Sequence, residues 1–181
     1  RRNLPNSYRR NDGRIELGYE IFERTEISAG YEREQIDRSW TEADEVTEDQ
    51  FRVGLHSRPI EMLDLRIDGT WSDRDGGDYF YNAPLAWGFS PEHVAEVDLE
   101  TDFENNPLLR KNNFADRERI GVDARLGVVP HESVSLGAQL GWANDDFQNS
   151  QLGLQSRSSL AWGFDASWTP VGGGARVLRH P

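Results

Sequence analysis

The sequence predicts an all-β chain: an antiparallel up-and-down meander of about seven strands forming part of a large transmembrane β-barrel. Two observations predict it. Seven stretches alternate apolar and polar residues with period two, which means strands with one greasy face and one wet face. The connections between them alternate short and long, so one end of the sheet carries tight turns and the other large excursions, as in outer-membrane barrels.

Each strand contributes an apolar series. The first gives Ile15, Leu17, Tyr19 and Ile21, the second Ile27, Ala29 and Tyr31, and the third Phe51, Val53 and Leu55. The fourth gives Leu63, Leu65, Ile67, Gly69 and Trp71, and the fifth Ile120, Val122, Ala124, Leu126 and Val128. The sixth gives Val134, Leu136, Ala138, Leu140 and Trp142, and the seventh Leu160, Trp162, Phe164, Ala166 and Trp168. None of these positions is charged, although 29% of the chain is. Such a face suits lipid, where a mid-membrane Lys or Arg costs about 2–4 kcal/mol. The intervening positions include Arg14, Glu16, Glu20, Glu32, Glu34, Arg52, His56, Asp64, Arg66, Asp68, Asp123, Arg125, Gln139 and Asp165. These suit a wet lumen, where opposite charges on adjacent strands can pair. Gly18, Gly30, Gly54, Gly121, Gly127, Gly137, Gly141 and Gly163 share that face and leave room for a lumen or its occupant.

The connections follow from the same reading. Residues 1–12 are polar, contain Pro5 and lack alternation, so a loop is expected there. Short turns are expected near Glu23 to Glu26, at Arg58-Pro59-Ile60-Glu61 and at Pro130-His131-Glu132, since proline cannot donate to a ladder. Long connections are expected at about 37–49, 73–117 and 144–156. The middle one exceeds ordinary loop lengths, which signals function or disorder. Its Tyr79, Phe80, Tyr81, Trp87 and Phe89 suit local folding or a plug, and residues 91–95 suit a helical turn. Trp71 and Trp142 are expected where strands enter long loops and Trp168 near the short-turn end, as girdle aromatics or, in a soluble sandwich, as core aromatics.

Composition narrows the function. Mean hydropathy is -0.75 and no apolar run is long enough for a helical span. Cysteine is absent, which excludes thiolate metal sites, disulfides and covalent haem attachment through Cys-x-x-Cys-His. A net charge of -12 argues against nucleic acid. Acid concentrates at Asp37, Glu42, Asp44, Glu45, Glu48 and Asp49, and again at Glu92, Glu96, Asp98, Glu100, Asp102 and Glu104. Solvated loops are the simpler expectation; divalent-cation binding is the sharper one. His56, His93, His131 and His180 show no zinc spacing, and there is no Gly-x-Ser-x-Gly elbow or phosphate loop. Ser158 and Ser159 have no evident base. The run Asp73-Arg74-Asp75-Gly76-Gly77-Asp78 lacks the distal glutamate of a calcium loop and suits a Gly-rich turn. No catalytic, cofactor-binding or metal residue is therefore assigned.

Several segments resemble the MtrB/PioB family of outer-membrane barrels. They are Asn106-Pro107-Leu108-Leu109-Arg110-Lys111 followed by Ala115-Asp116-Arg117-Glu118-Arg119, together with Ile27-Ser28-Ala29-Gly30-Tyr31-Glu32, Ser72-Asp73-Arg74-Asp75-Gly76, Val134-Ser135-Leu136-Gly137 and Asp145-Asp146-Phe147. The resemblance covers roughly residues 13–170. It implies a bacterial outer-membrane barrel of more than roughly twenty strands that sheathes a decahaem c-type cytochrome for electron transfer across the outer membrane and performs no chemistry itself. Multihaem c-type cytochromes and outer-membrane lipid are the implied partners. A porin or other channel wall, and a soluble all-β binding module, are the rival readings of the same pattern.

Seven strands do not close a bacterial barrel, so further strands are expected outside this chain. The absence of an initial methionine and of a signal peptide suits a processed product or a fragment. Residues 1–170 are expected to form the partial barrel and 171–181, basic and without period, an irregular tail such as a reading-frame change would leave.

Overall fold

The structure is a computed structural model that describes residues 5, 7–98, 101, 106 and 108–169. Seven strands form one sheet: β1 (Tyr8–Phe22), β2 (Thr25–Arg38), β3 (Glu45–Ser57), β4 (Leu63–Asp75), β5 (Arg117–His131), β6 (Val134–Phe147) and β7 (Ser156–Trp168). Their spatial order is their order in the chain, and every pairing is antiparallel. Two short helices, α1 (Ala83–Gly88) and α2 (Pro91–Ala95), lie in the connection from β4 to β5. The expected helical turn at 91–95 is thus present, capped by Ser90, whose hydroxyl accepts from the His93 backbone N–H.

Register explains why the alternation is so regular. One cross-strand row reads Leu55, Ile67, Ala124, Leu140 and Trp162; the next towards the long loops reads Leu17, Ala29, Val53, Gly69, Val122, Trp142 and Leu160. Apolar side chains stand opposite apolar ones across the whole sheet. A slip of one residue would bring polar-face residues into these rows, such as Asp123 or Arg125 of β5 opposite Leu140. The same face is open even away from the sheet edges: Val53 is 63% exposed, Leu140 49% and Phe51 48%. Among the described residues, the buried apolar side chains are Ala43, Val46, Ala83, Leu85, Phe114, Ala115 and Phe147, all at the long-loop end. A water-soluble sandwich does the reverse and buries its apolar sheet face. The chain is part of a β-barrel wall, and the apolar face is the one that meets lipid.

The strands overrun the apolar band. In β4, β5 and β6 the band covers Leu63–Trp71, Ile120–Val128 and Val134–Trp142, about nine residues each, enough for a tilted strand to cross the hydrocarbon. It ends in a belt of Tyr31, Phe51 and Trp71, whose rings stack with centroids 4.9 and 5.6 Å apart. The next row on the same face is Arg33, Asp49, Asp73, Glu118 and Asp146. The Trp71 indole N–H donates to Glu118 Oε1 at 2.9 Å, bridging the apolar and polar rows as an interfacial tryptophan should.

This overrun corrects several expected boundaries. Tyr8–Asp12 belongs to β1 and pairs with Arg38 to Glu34. The long connections shrink to 39–44, 76–116 and 148–155, so Asp37, Glu45, Glu48 and Asp49 lie on strands, not in a loop. Trp71 and Trp142 sit within their strands, four or more residues before the ends. The cause is common to all: beyond the band the outward face turns polar as well, so the apolar–polar alternation stops, while the backbone ladder continues. Pro130 and His131 lie in β5 at a register shift between Val128 and His131, which accommodates the missing N–H. The turn itself is only residues 132–133. The turn after β1 is Glu23-Arg24, with Arg24 in the left-handed region at φ 62°.

Leu140 stands in the middle row of the apolar face. In the complete protein folded into lipid bilayers, Leu140→Arg should cost about 2–4 kcal/mol by denaturant titration. Gln139→Arg, one residue away on the polar face, should cost far less than half of that.

Candidate functional site

The polar face carries a chain of ion pairs between strands. Arg10 Nη2 meets Glu34 at 2.7 Å, Arg52 Nη2 meets Glu32 at 3.3 Å, and Arg117 Nη2 meets Glu48 at 2.6 Å. Near the short turns Asp64 gathers three partners: Arg58 Nε at 2.6 Å, His56 Nε2 at 3.2 Å and Arg66 Nε at 3.6 Å. His56, expected on this face, is therefore a member of an Asp64-centred cluster. Glycines let the polar chains lie flat. A methyl at Gly121 would stand 2.8 Å from Thr70 Oγ1, and one at Gly141 2.9 Å from Asp123 Oδ1. A hollow of about 290 Å³ opens on this face, bordered by Arg14, Glu16, Glu32, Arg52, Asp68 and Asp123 among others.

At the long-loop end the polar face is covered by an inward-folded ledge. Ile36, Val46 and Phe147 are apolar residues at polar-face positions of β2, β3 and β6. Phe114 packs on Val46 and Ala43, with Tyr79 alongside. Burial pushes the Tyr79 phenol above its ordinary pKa, so it stays neutral. The Arg38 guanidinium lies 5.3 Å over the Phe114 ring and that of Arg110 5.2 Å over Tyr79. Arg74, also at a polar-face position, donates from Nε to the Ala115 carbonyl at 3.1 Å and from Nη2 to that of Asn112 at 2.5 Å. Lys111 pairs with Glu42, and Arg110 donates to the Gly77 carbonyl. Ala43 and Tyr79 face each other in a single antiparallel bridge.

Two turns make the ledge possible. The Gly77 N–H donates to Asp75 Oδ1 at 2.7 Å, and Gly77 adopts φ 59°, so the Gly-rich turn expected over 73–78 is confined to 76–78, while Asp73–Asp75 belong to β4. A side chain at Gly76 would overlap the Phe114 carbonyl. Asp116 then ties the ledge to the next loop: Oδ1 accepts from the Gly76 N–H at 2.9 Å, Oδ2 accepts from Asn149, and the Asp116 carbonyl accepts from the Gln148 N–H at 3.2 Å. The N–H groups of Gln151 and Leu152 both donate to the Leu108 carbonyl.

The sequence assigns no site residue, and it offers local folding or a plug for the long connection without saying which strand residues such a plug would pack on. The signal for it was present in Ile36, Val46 and Phe147, which break the polar phase of their strands. The segments 72–76, 108–111, 115–119 and 145–147, read separately as family-like motifs, converge on the ledge and its root. The acidic clusters do not converge. Glu42, Glu48 and Asp49 pair with Lys111, Arg117 and Arg33, and among the described residues no group of three or more metal-ligating side chains forms. His93 packs on Phe89 and His131 Nδ1 lies 2.7 Å from Ser133 Oγ. His180, Glu100, Asp102, Glu104 and the tail at 171–181 lie outside the described residues.

Comparison with known proteins agrees with this wall. A model of the outer membrane beta-barrel porin family MtrB/PioB matches residues 1–172. The chain belongs to the MtrB/PioB family. It is similar to the outer membrane protein MtrB of Shewanella baltica, 23% identical over 155 residues, which cover 86% of this chain and 20% of that protein. The chain thus spans about a fifth of the length of this curated relative. Its place is the outer membrane, as the resemblance implied, and the MtrB/PioB fold accounts for the exposed apolar rows.

Arg117 is among the less exposed ion-pair cations of this MtrB/PioB wall. Its side chain is 15% exposed, between Glu48 and an Asp145 that is 9% exposed. Arg117→Ala leaves the buried Asp145 with Arg119 alone, at 3.6 Å, and takes from Glu48 its 2.6 Å partner, and should cost about 1–3 kcal/mol. Arg52→Ala removes an exposed pair and should cost under about 1 kcal/mol. Limited proteolysis of the full-length protein in bilayers should show faster cleavage within 76–116 for the first variant only.

Proposed function

We propose that this wall, in the complete protein, sheathes a multihaem c-type cytochrome and insulates its electron path from lipid. The observation that carries the reading is the polar face. It combines paired charges, which offer either sign to a protein surface, with glycines that keep the wall thin where neighbouring side chains lie flat. A protein occupant needs such a surface more than a solute does. The family resemblance supplies the identity of the occupant. The barrel would perform no chemistry. Without cysteine this chain cannot attach c-type haem, so electrons would have to be carried by a partner. Residues 1–170 would belong to the wall and 171–181 would form a separate tail.

A second reading is a diffusion porin, favoured by the hollow on the polar face and by the family description. Reconstitution separates the two. Liposomes holding the full-length barrel alone should not reduce an enclosed acceptor from an external donor, and addition of the multihaem cytochrome should start transfer. A native complex without haem protein that passes small solutes freely would replace the conduit by the porin.

A further inference from the structure

We propose that the ledge built by residues 76–83, 110–116 and 148–152 is a permanent constriction of the barrel lumen at the long-loop end, and that it restricts the passage of sugar-sized hydrophilic solutes. The inference rests on the barrel wall and its lumenal polar face, and it holds for either occupant of the lumen, protein or water.

Three observations carry it. The first is direction. The sheet residues that hold the ledge — Arg38 and Val46 against Phe114, and Arg74 on the Ala115 and Asn112 carbonyls — occupy polar-face positions, so the loops fold towards the lumen and not outward over lipid. The second is packing. Ala43 and Ala115 are completely buried, and Val46, Phe114 and Phe147 are nearly so, whereas the sheet itself buries no comparable cluster among the described residues. A solvated loop excursion has no reason to own the principal apolar cluster of its chain. The third is cross-bracing. The ledge is joined to β4 by Arg74, to the 39–44 connection by Lys111 with Glu42 and by the Ala43–Tyr79 bridge, and to the 148–155 connection through Asp116. Attachments at three places hold it against the polar face instead of leaving it free to swing. A barrel with ordered chain held against its lumenal face has a smaller solute cut-off than its strand number alone would give.

The test uses the full-length protein in liposomes without cytochrome, with swelling in neutral mono- and disaccharides as the readout. Phe114→Asp places a charge in the ledge's apolar cluster, and Gly76→Val independently blocks the path by which the chain reaches it. Both should raise sugar uptake several-fold, with new protease cleavage within 76–116 confirming release. Ala43→Cys with Tyr79→Cys, opposite each other in the bridge and in a stretch of 181 residues without other cysteines, can form a disulfide that locks the ledge down. The oxidised form should match the wild type. Unchanged uptake in a variant whose ledge is demonstrably released would overturn the proposal. So would uptake in the oxidised double variant several-fold below wild type, which would mean that the native ledge stands open. Failure of the conduit reading would show only when cytochrome is added and would leave these uptake ratios as they are.

Discussion

Everything in this wall depends on an unbroken antiparallel ladder held in one register. In a bilayer no water is available to satisfy a stray N–H or carbonyl, so the strands must pair along their whole transmembrane length. Because side chains alternate, the register that satisfies the backbone also decides which residues meet lipid. Here the two demands agree in every pair from β1 to β7. Leu55, Ile67, Ala124, Leu140 and Trp162 stand in one row, while His56, Arg66, Arg125, Gln139 and Gly163 stand in the adjacent row on the other face. The hydrophobic effect therefore selects the register from outside the sheet, by solvation in lipid, with no interior core opposite the band to help.

The apolar packing that the chain does possess lies outside the band. Ala43, Val46, Phe114 and Tyr79 gather where the strands have passed the belt of Tyr31, Phe51 and Trp71. Two kinds of apolar surface thus serve two solvents. One faces hydrocarbon and stays open. The other is withdrawn from water by folding a loop back onto the polar face, where Arg74 and Asp116 satisfy the carbonyls and N–H groups that a loop crossing a wet surface exposes.

The sequence made the band legible and its surroundings less so. Strand number, order, faces and the helical turn at 91–95 follow from period-two alternation, loop lengths and Pro91. Alternation reports only contrast between faces, and it vanishes at Tyr8–Asp12, at Glu34–Arg38 and at Glu45–Gln50, where the outward positions are polar too and only hydrogen bonding marks a strand. Pro130 pointed to a turn because the bulge that tolerates it inside β5 depends on the partner strand. The ledge was illegible for a further reason: it joins residues some seventy positions apart, such as Val46 with Phe114 and Glu48 with Arg117. Phase-breaking apolar residues hint that something covers the polar face, but they do not say which loop.

The account turns on which face meets lipid. Spin labels placed singly at Leu136 and Gln139 of the full-length protein in bilayers, read by accessibility to oxygen and to a water-soluble relaxant, measure this directly. The label at Leu136 should be exposed to oxygen and shielded from the aqueous reagent, with the opposite at Gln139. The reverse pattern would place the charged rows in lipid and contradict the assignment of both faces.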